Sequence, residues 1–503
     1  MQDRLAPAGF RYLVDKGTAY TNAHFEHVVT VTAAGHATLS TGGNTPQHGI
    51  AGNEWFDSAT RQAVYNTEDK RYPQIGKTLE TSKGRSPHYL TSSTFGDELV
   101  AASGGKSRVF SVSIKDRAAI LLGGHLGKAY WYSKTTGKFV SSTYYHESYP
   151  EWVQRWNAGN PADQYRDANW DLLLKPETYT FIKQDDRWFE KSYGNLGRTF
   201  PHSLKNDDAR AFYSTLRHTP MGDQLTLSFV KELVTMEKIG KNGHTDVLAV
   251  SFSVTDYIGH AFGPNSLEAE DNLLRLDRTL QELFHFIDQQ IGLDKTLIVL
   301  TSDHGVCPAP ELMAELGIAA ERLDAAQIMN RVNAALQTKF NTDMKLALAF
   351  KKPGIYLDMD AINALGLDVS EVEQALAAEI MQIPGFSLAL TKTDILTGRV
   401  PDTLVASRVE SGFHPTRSGN VLVVQDPFWY LSSTPDGDTA MHGSPYNYDS
   451  HVPIMIAGPR IGHGKVDRRV APRDVAPTIS AYLGISPPSG AVGNPLPSVD
   501  PKP

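Results

Sequence analysis

A chain of 503 residues is long for one simple core, so one large domain carrying insertions, or two domains, is expected. Its 48 Lys and Arg against 56 Asp and Glu give a net charge of −8, which argues against a nucleic-acid platform because that would need a basic stripe. No apolar stretch approaches the roughly 20 residues needed to cross a bilayer, and with Cys307 as its single cysteine the chain can form neither an intramolecular disulfide nor a thiolate metal cluster.

The N-terminal MQDRLAPAG lacks the apolar core of an export signal. GFRYLVDKG, Gly9 to Gly17, predicts a short amphipathic helix stopped by glycine, and AYTNAHFEHVV a strand running into a loop. TAAGHATLST before Gly42 and Gly43 predicts a second glycine-stopped helix. RVFSVSI predicts a strand leading to Lys115. The stretch about 130–218 is rich in Trp, Tyr, Asn and Asp with weak periodicity, and predicts an irregular excursion over the surface.

Two strongly apolar runs, DVLAVSFS and TLIVL, predict buried parallel strands. Between them Asn265 is expected to open a helix with Glu268 in a capping box, and Leu273, Leu276, Leu280, Leu283, Phe284 and Ile287 on one face. Strand, helix, strand is right-handed by default. From Pro308 to about His414, Ala-rich helical patterns alternate with short strand-like pieces. The expected architecture is α/β: a doubly wound, mostly parallel sheet with helices on both faces. Residues 1–307 and 415–503 would form the catalytic domain, and 308–414 an inserted α+β subdomain. The main sheet is predicted to resume with NVLVVQ and again with VPIMIA, and the Pro-rich tail from Ser486 to run as an extended strap.

Chemistry concentrates just past the two apolar runs. Asp256 and His260 in TDYIGHAFGP, and Asp303 and His304 in TSDHG, fall beyond the carboxyl ends of predicted strands, where α/β sheets collect ligands. One such residue alone reads as a hydrogen-bonded structural group. Two acid–histidine pairs on successive strands read as the ligand set of a zinc-type hydrolytic site, with zinc preferred for this ligand type and manganese or iron left open by the ligand chemistry. His451, in NYDSH before a strand, is a further candidate. Thr32 falls at a helix start, where the helix dipole favours an ionised hydroxyl and an arriving anion. A bound metal would make that hydroxyl a competent nucleophile, whereas the plainer alternative is a helix cap.

Together TVTAAGH, HGIAGN, SIKDR, TDYIGH, SDHG, DSHVP and the closing DVAPTISAYLGI resemble, in order, the alkaline phosphatase superfamily. The likeness is greatest to its phosphate-irrepressible, broad-specificity bacterial branch with a threonine nucleophile, related to type I phosphodiesterases and nucleotide pyrophosphatases. The resemblance implies two zinc ions. Thr32 would be the metal-bound nucleophile, Asp256, His260 and His451 would hold one zinc, and Asp303 and His304 the second. Asn53 would bind a phosphoryl oxygen, and Lys115 with Arg117, i and i+2 on a predicted strand and hence on one face, would clamp the phosphate. Two cations and an amide favour small-molecule monoesters over diesters. The implied function is monoester hydrolysis through a phosphothreonine, in a periplasmic or secreted setting. A phosphodiesterase or nucleotide pyrophosphatase, or a form that only binds phosphate esters, stands as the alternative. Sulfatase chemistry is disfavoured, because Cys307 lies in VCPAP rather than C-x-P-x-R.

The same resemblance implies one element more: an apolar first strand in the centre of the sheet, ending in an aspartate that binds the second zinc. Asp3 has no apolar strand before it, so that role is not carried onto it. A start placed downstream of the natural one is the preferred explanation, with a naturally short form weakened at its second metal site as the competitor.

Overall fold

The computed structural model describes residues 2–77, 83–432, 437–497 and 499. Three four-stranded sheets organise them. In chain order their strands are β1 (Thr18–His24), β2 (Val109–Ser113), β3 (Lys128–Ser133), β4 (Lys138–Val140), β5 (Val247–Ser251), β6 (Ile298–Thr301), β7 (Ala347–Lys351), β8 (Gly354–Leu357), β9 (Phe386–Thr391), β10 (Val421–Gln425), β11 (His451–Ala457) and β12 (Gly464–Val466). The helices that matter for the site are α1 (Phe10–Lys16), α2 (Thr32–Thr41), α3 (Asp116–Gly123), α4 (Met221–Met236), α5 (Val254–Phe262), α6 (Leu267–Gln290), α7 (Ala325–Phe340) and α8 (Val369–Ile380).

The first sheet runs β4-β3-β2-β5 and is parallel across β3, β2 and β5. Every residue of β2 is buried, because helices cover both faces. Ser111 Oγ donates to Ala119 O of α3 on one side. Phe110 and Val112 pack on the other with Phe229, Val230 and Leu233 of α4. Fully burying side chains of this size contributes roughly 1.5–3 kcal/mol each. The second sheet, β6-β11-β1-β12, is mixed: β11 lies antiparallel to β1 and β6, and β12 parallel to β1.

The two apolar strands thought to be neighbours, β5 and β6, lie in different sheets. Each is hydrogen-bonded along one edge, β5 to β2 and β6 to β11, and every residue of both is only part-buried. Their carboxyl ends are linked by His36 of α2, whose Nε2 meets Ser251 Oγ at 3.0 Å while its Nδ1 lies 3.2 Å from Asp303 Oδ2.

The reading of TLIVL as a buried parallel strand is thus corrected, since β6 is part-buried and antiparallel to β11, and four further expectations need correction. NVLVVQ does not return to the main sheet: β10 pairs with β8 and β9, so the inserted α+β unit, with α7 and α8 packed on it, runs past His414. A β-branched apolar run fits the centre of either sheet, and sequence alone does not say which. The 130–218 stretch is irregular but not superficial. Tyr130, Tyr145 and Trp170 are fully buried there, and Phe139, Trp152 and Trp156 ring Phe229. Its burial is carried by aromatics without period, which periodicity cannot detect. The long helix is capped by Ser266, not Asn265, through Ser266 Oγ accepting from Ala269 N. Lys115 and Arg117 are not on a strand: β2 ends at Ser113, Lys115 caps α3 and Arg117 sits in its first turn.

The tail from Ser486 packs as an extended segment, with Val492 and Gly493 donating to Gly42 O and Leu496 buried; its last few residues lie outside those described.

The N-terminal segment is tied to α6 by Asp277, a fully buried carboxylate that accepts from Ala6 N, from Phe10 N at 2.8 Å and from Arg278 at 2.6 Å. Asp277→Ala leaves the Ala6 and Phe10 amides without their acceptor. It is expected to lower the unfolding free energy by about 2–4 kcal/mol in urea titrations, and a loss under 0.5 kcal/mol would show that the tie is dispensable.

Candidate active site

The site begins with α2. Its N-cap, Val31, has extended backbone angles and makes no side-chain cap, so Thr32 occupies the first helical position with the unpaired N–H groups of the first turn around it. Ala33 N donates to Asn53 Oδ1 at 3.0 Å, holding Asn53 against that turn. Lys115 Nζ and Arg117 Nη2 reach Thr32 Oγ1 at 3.3 and 3.4 Å. The strand-to-helix corner thus delivers the convergence that a shared strand face was expected to give. Lys115 Nζ also donates to Asp256 Oδ2.

The helix is pressed against the second acid–histidine pair. A Cβ on Gly35 would lie 2.1 Å from Asp303 O, so only glycine permits this approach. His36, next along, brings Nδ1 to Asp303 Oδ2 and, at 2.8 Å, to Thr32 O. Asp303 and His304 follow β6, with His304 Nε2 at 3.3 Å from Asp303 Oδ2.

Asp256 and His260 stand i and i+4 on α5, one helical turn apart on one face. The third member of their group is His442, not His451. Asp256 Oδ1 lies 3.5 Å from His260 Nε2 and 3.4 Å from His442 Nε2, and the ligand atoms of these three all fall within 4.8 Å of one another. His304 Nε2 is 3.6 Å from the same oxygen, its ring stacked on that of His442 at 3.6 Å.

His451 opens β11 as an exposed residue. It is paired with His24 across the strands and stacked on that ring at 4.7 Å, with its Nε2–H donating to Thr21 O. The part of DSHVP that serves the site is Asp449, buried and accepting from Ser444 N and Ser444 Oγ at 2.8 and 2.6 Å, which braces the loop after His442. The signal overlooked in the sequence was a His-Gly step, His442-Gly443, like the one in SDHG.

The protonation pattern suits a cation. Nδ1 of His260, His442 and His304 each lies 2.8 Å from a backbone carbonyl, of Ala440, Thr30 and Gly305 respectively. A carbonyl only accepts, so each Nδ1 carries a proton, and a ring that is neutral presents a lone pair at Nε2. All three Nε2 atoms converge on a carboxylate oxygen that only accepts, and His304 Nε2 is buried with no hydrogen-bond partner. Burial pushes His442 down to about 3 and lowers His304 too, keeping both neutral. Burial also raises the Asp256 carboxyl, but the Lys115 ammonium on its far oxygen outweighs it and holds Asp256 well below the usual range. Asp303 is likewise lowered against its burial, with the His36 hydrogen bond and Lys115 among the causes. Such a set of neutral imidazoles and ionised carboxylates fits a divalent metal of the zinc type.

Fold and site together define an α/β enzyme working at the carboxyl ends of its strands. The chain matches the model of the type I phosphodiesterase / nucleotide pyrophosphatase family over residues 2–445 and belongs to that family, within the alkaline phosphatase superfamily. It is 35% identical over 97% of its length to alkaline phosphatase PhoV of Synechococcus elongatus, covering 88% of that protein. To alkaline phosphatase PafA of Elizabethkingia meningoseptica it is 34% identical over 98%, covering 89%. A crystal structure of wild-type PafA superposes with a TM-score of 0.92 at 33% identity, covering 99% of this chain and 95% of that one. A murine ectonucleotide pyrophosphatase/phosphodiesterase shares the fold at 14% identity, with a TM-score of 0.54 over 96% of this chain and 91% of its own.

His442→Ala and His451→Ala separate the two histidines. Metal content of the purified variants and turnover of an aryl phosphate should fall on the order of 100-fold or more for the first and by less than about 2-fold for the second, an exposed position. The opposite ranking would restore His451 as the ligand.

Proposed function

We propose that this alkaline phosphatase hydrolyses phosphate monoesters of broad structure through a phosphothreonine at Thr32. The observation that carries the reading is the placement of Thr32 Oγ1 at a helix start, with Lys115 Nζ and Arg117 Nη2 both within 3.4 Å. The likeness of the chain to PhoV and PafA, both named alkaline phosphatases, supports it.

Asp256, His260 and His442 would hold one divalent cation, and Asp303 with His304 a second. For the second, the further aspartate implied by the resemblance has no counterpart among the described residues. Zinc suits these ligands best, and when bound it supplies Lewis-acid stabilisation of negative charge on oxygen. Everything else falls to the chain itself. The two cations and the helix dipole favour the alkoxide of Thr32, which attacks phosphorus as the ester P–O bond breaks opposite, and the departing oxygen takes a proton from solvent. Water then cleaves the new P–O bond, releasing inorganic phosphate and restoring the hydroxyl. Lys115, Arg117 and the amide of Asn53 bind the non-bridging oxygens. A monoester dianion has one more of these charges than a diester, so the pair of cations discriminates between the two. A periplasmic or secreted setting goes with this reading.

The test compares phenyl phosphate with its diester, bis-phenyl phosphate. The wild type should prefer the monoester, lose turnover to a chelator and recover it with zinc. Thr32→Ala should form no acid-stable phosphoenzyme. Lys115→Ala should lower kcat/KM for the monoester by on the order of 100-fold and for the diester far less. Faster diester hydrolysis by the wild type would make the chain a phosphodiesterase instead, and phosphate-ester binding without turnover would make it a binder.

A further inference from the structure

The wall beside the reacting groups holds a cation that the chemistry above leaves without a task. Tyr257 follows the ligand Asp256 on α5, and two cations lie over its ring: Lys115 Nζ, 5.1 Å from the ring centre, and the Arg217 guanidinium at 4.8 Å. His218 lies against the edge of Tyr257 at 5.0 Å and is stacked on Tyr193 at 3.7 Å. Tyr193 OH donates to Asp438 Oδ1 at 3.0 Å, and Asp438 Oδ2 is 3.6 Å from His260 Nδ1. An aromatic wall thus runs from the His260 side of the metal-ligand group to Arg217.

Arg217 is part-buried, and among the described residues no carboxylate pairs with it. Its Nε–H donates to Ser214 O at 3.1 Å, one Nη2–H to Ser214 Oγ at 3.0 Å and one Nη1–H to Tyr257 OH at 3.1 Å. A guanidinium carries five N–H groups, so these bonds fix its plane and leave one donor on each Nη nitrogen. Two donors on a fixed fork match a carboxylate or phosphate. Lys115, by contrast, is already engaged with Asp256 and Thr32 and faces the transferred phosphoryl group.

Building on the monoesterase reading, we propose that Arg217, fixed by Tyr257 and Ser214, is a specificity subsite for a second anionic group on the leaving part of the substrate. The favoured substrates are phosphate monoesters that carry a further carboxylate or phosphate about one aromatic ring away from the scissile bond. A guanidinium serving only to fix Tyr257 would affect every substrate alike, and the experiment separates these roles.

Phenyl phosphate and meta-carboxyphenyl phosphate are compared on the wild-type holoenzyme and on Arg217→Met and Arg217→Lys. The wild type should show the lower KM for the carboxylate-bearing ester. In Arg217→Met the ratio of kcat/KM, carboxylated over neutral, should fall on the order of 10-fold, the size of one charge-assisted contact. The loss should lie in KM, with partial recovery in Arg217→Lys. An equal loss on both esters, or a wild-type KM no lower for the carboxylated one, overturns the subsite whether or not the variants fold well. Failure of the wild type to turn over either ester would instead overturn the monoesterase reading, and the subsite with it.

Discussion

Three imidazoles are turned by main-chain carbonyls so that their second nitrogens converge on one carboxylate oxygen. Nε2 of His260, His442 and His304 all lie within 3.4–3.6 Å of Asp256 Oδ1. Acceptors crowded at that distance repel one another unless positive charge lies among them. Much of the surrounding structure answers to this one constraint. Lys115 leans onto the far oxygen of Asp256, burial keeps His304 and His442 unprotonated, and the carbonyls of Thr30, Gly305 and Ala440 are held where the Nδ1 protons need them. A site of this kind is stabilised by what it binds more than by its own contacts.

Thr32 takes its position from the same arrangement. Thr30, whose carbonyl orients His442, lies two residues before Thr32, and Thr30 Oγ1 donates to Ser444 O at 2.9 Å. At the other side of α2, Gly35 and His36 fit against Asp303 with no room for a Cβ. The helix that carries the Thr32 hydroxyl is therefore held against both acid–histidine groups. Such a hold suits the displacement proposed above, because misplacement of a nucleophile by about 1 Å can reduce a rate by two orders of magnitude.

What the sequence made legible followed from local rules. The apolar runs marked β5 and β6, the glycine stops marked α1 and α2, and Asp256 with His260 were placed beyond a strand end, though the helix that sets them one turn apart was not foreseen. What stayed hidden required closure over long distances. His442 meets Asp256 across 186 positions, through a loop whose course no periodicity records. His451 drew attention because it precedes a strand, yet cross-strand register sets it opposite His24 on an exposed position. Likewise β10 has the composition of a central strand, and only its pairing with β8 and β9 reveals which sheet it belongs to.

The insertion is itself part of the site's mechanics. Lys352, at the tip between β7 and β8, donates to His442 O at 3.0 Å, and its Nζ would lie 3.1 Å from a Cβ on Gly443. Arg417 donates to the carbonyls of Gly49 and Tyr89 beside the Asn53 loop, and Gly412 passes so close to Val28 O that a side chain there would overlap it. Three contacts from one unit thus meet the segments bearing His442, Asn53 and Thr32. A peripheral module built only to cap the sheet would have no reason to send a lysine to the carbonyl of a histidine that faces Asp256. Since Nδ1 of His442 is already fixed by Thr30, fixing its carbonyl as well leaves the ring with one orientation. The inserted unit therefore acts as the outer half of the clamp whose inner half is α2.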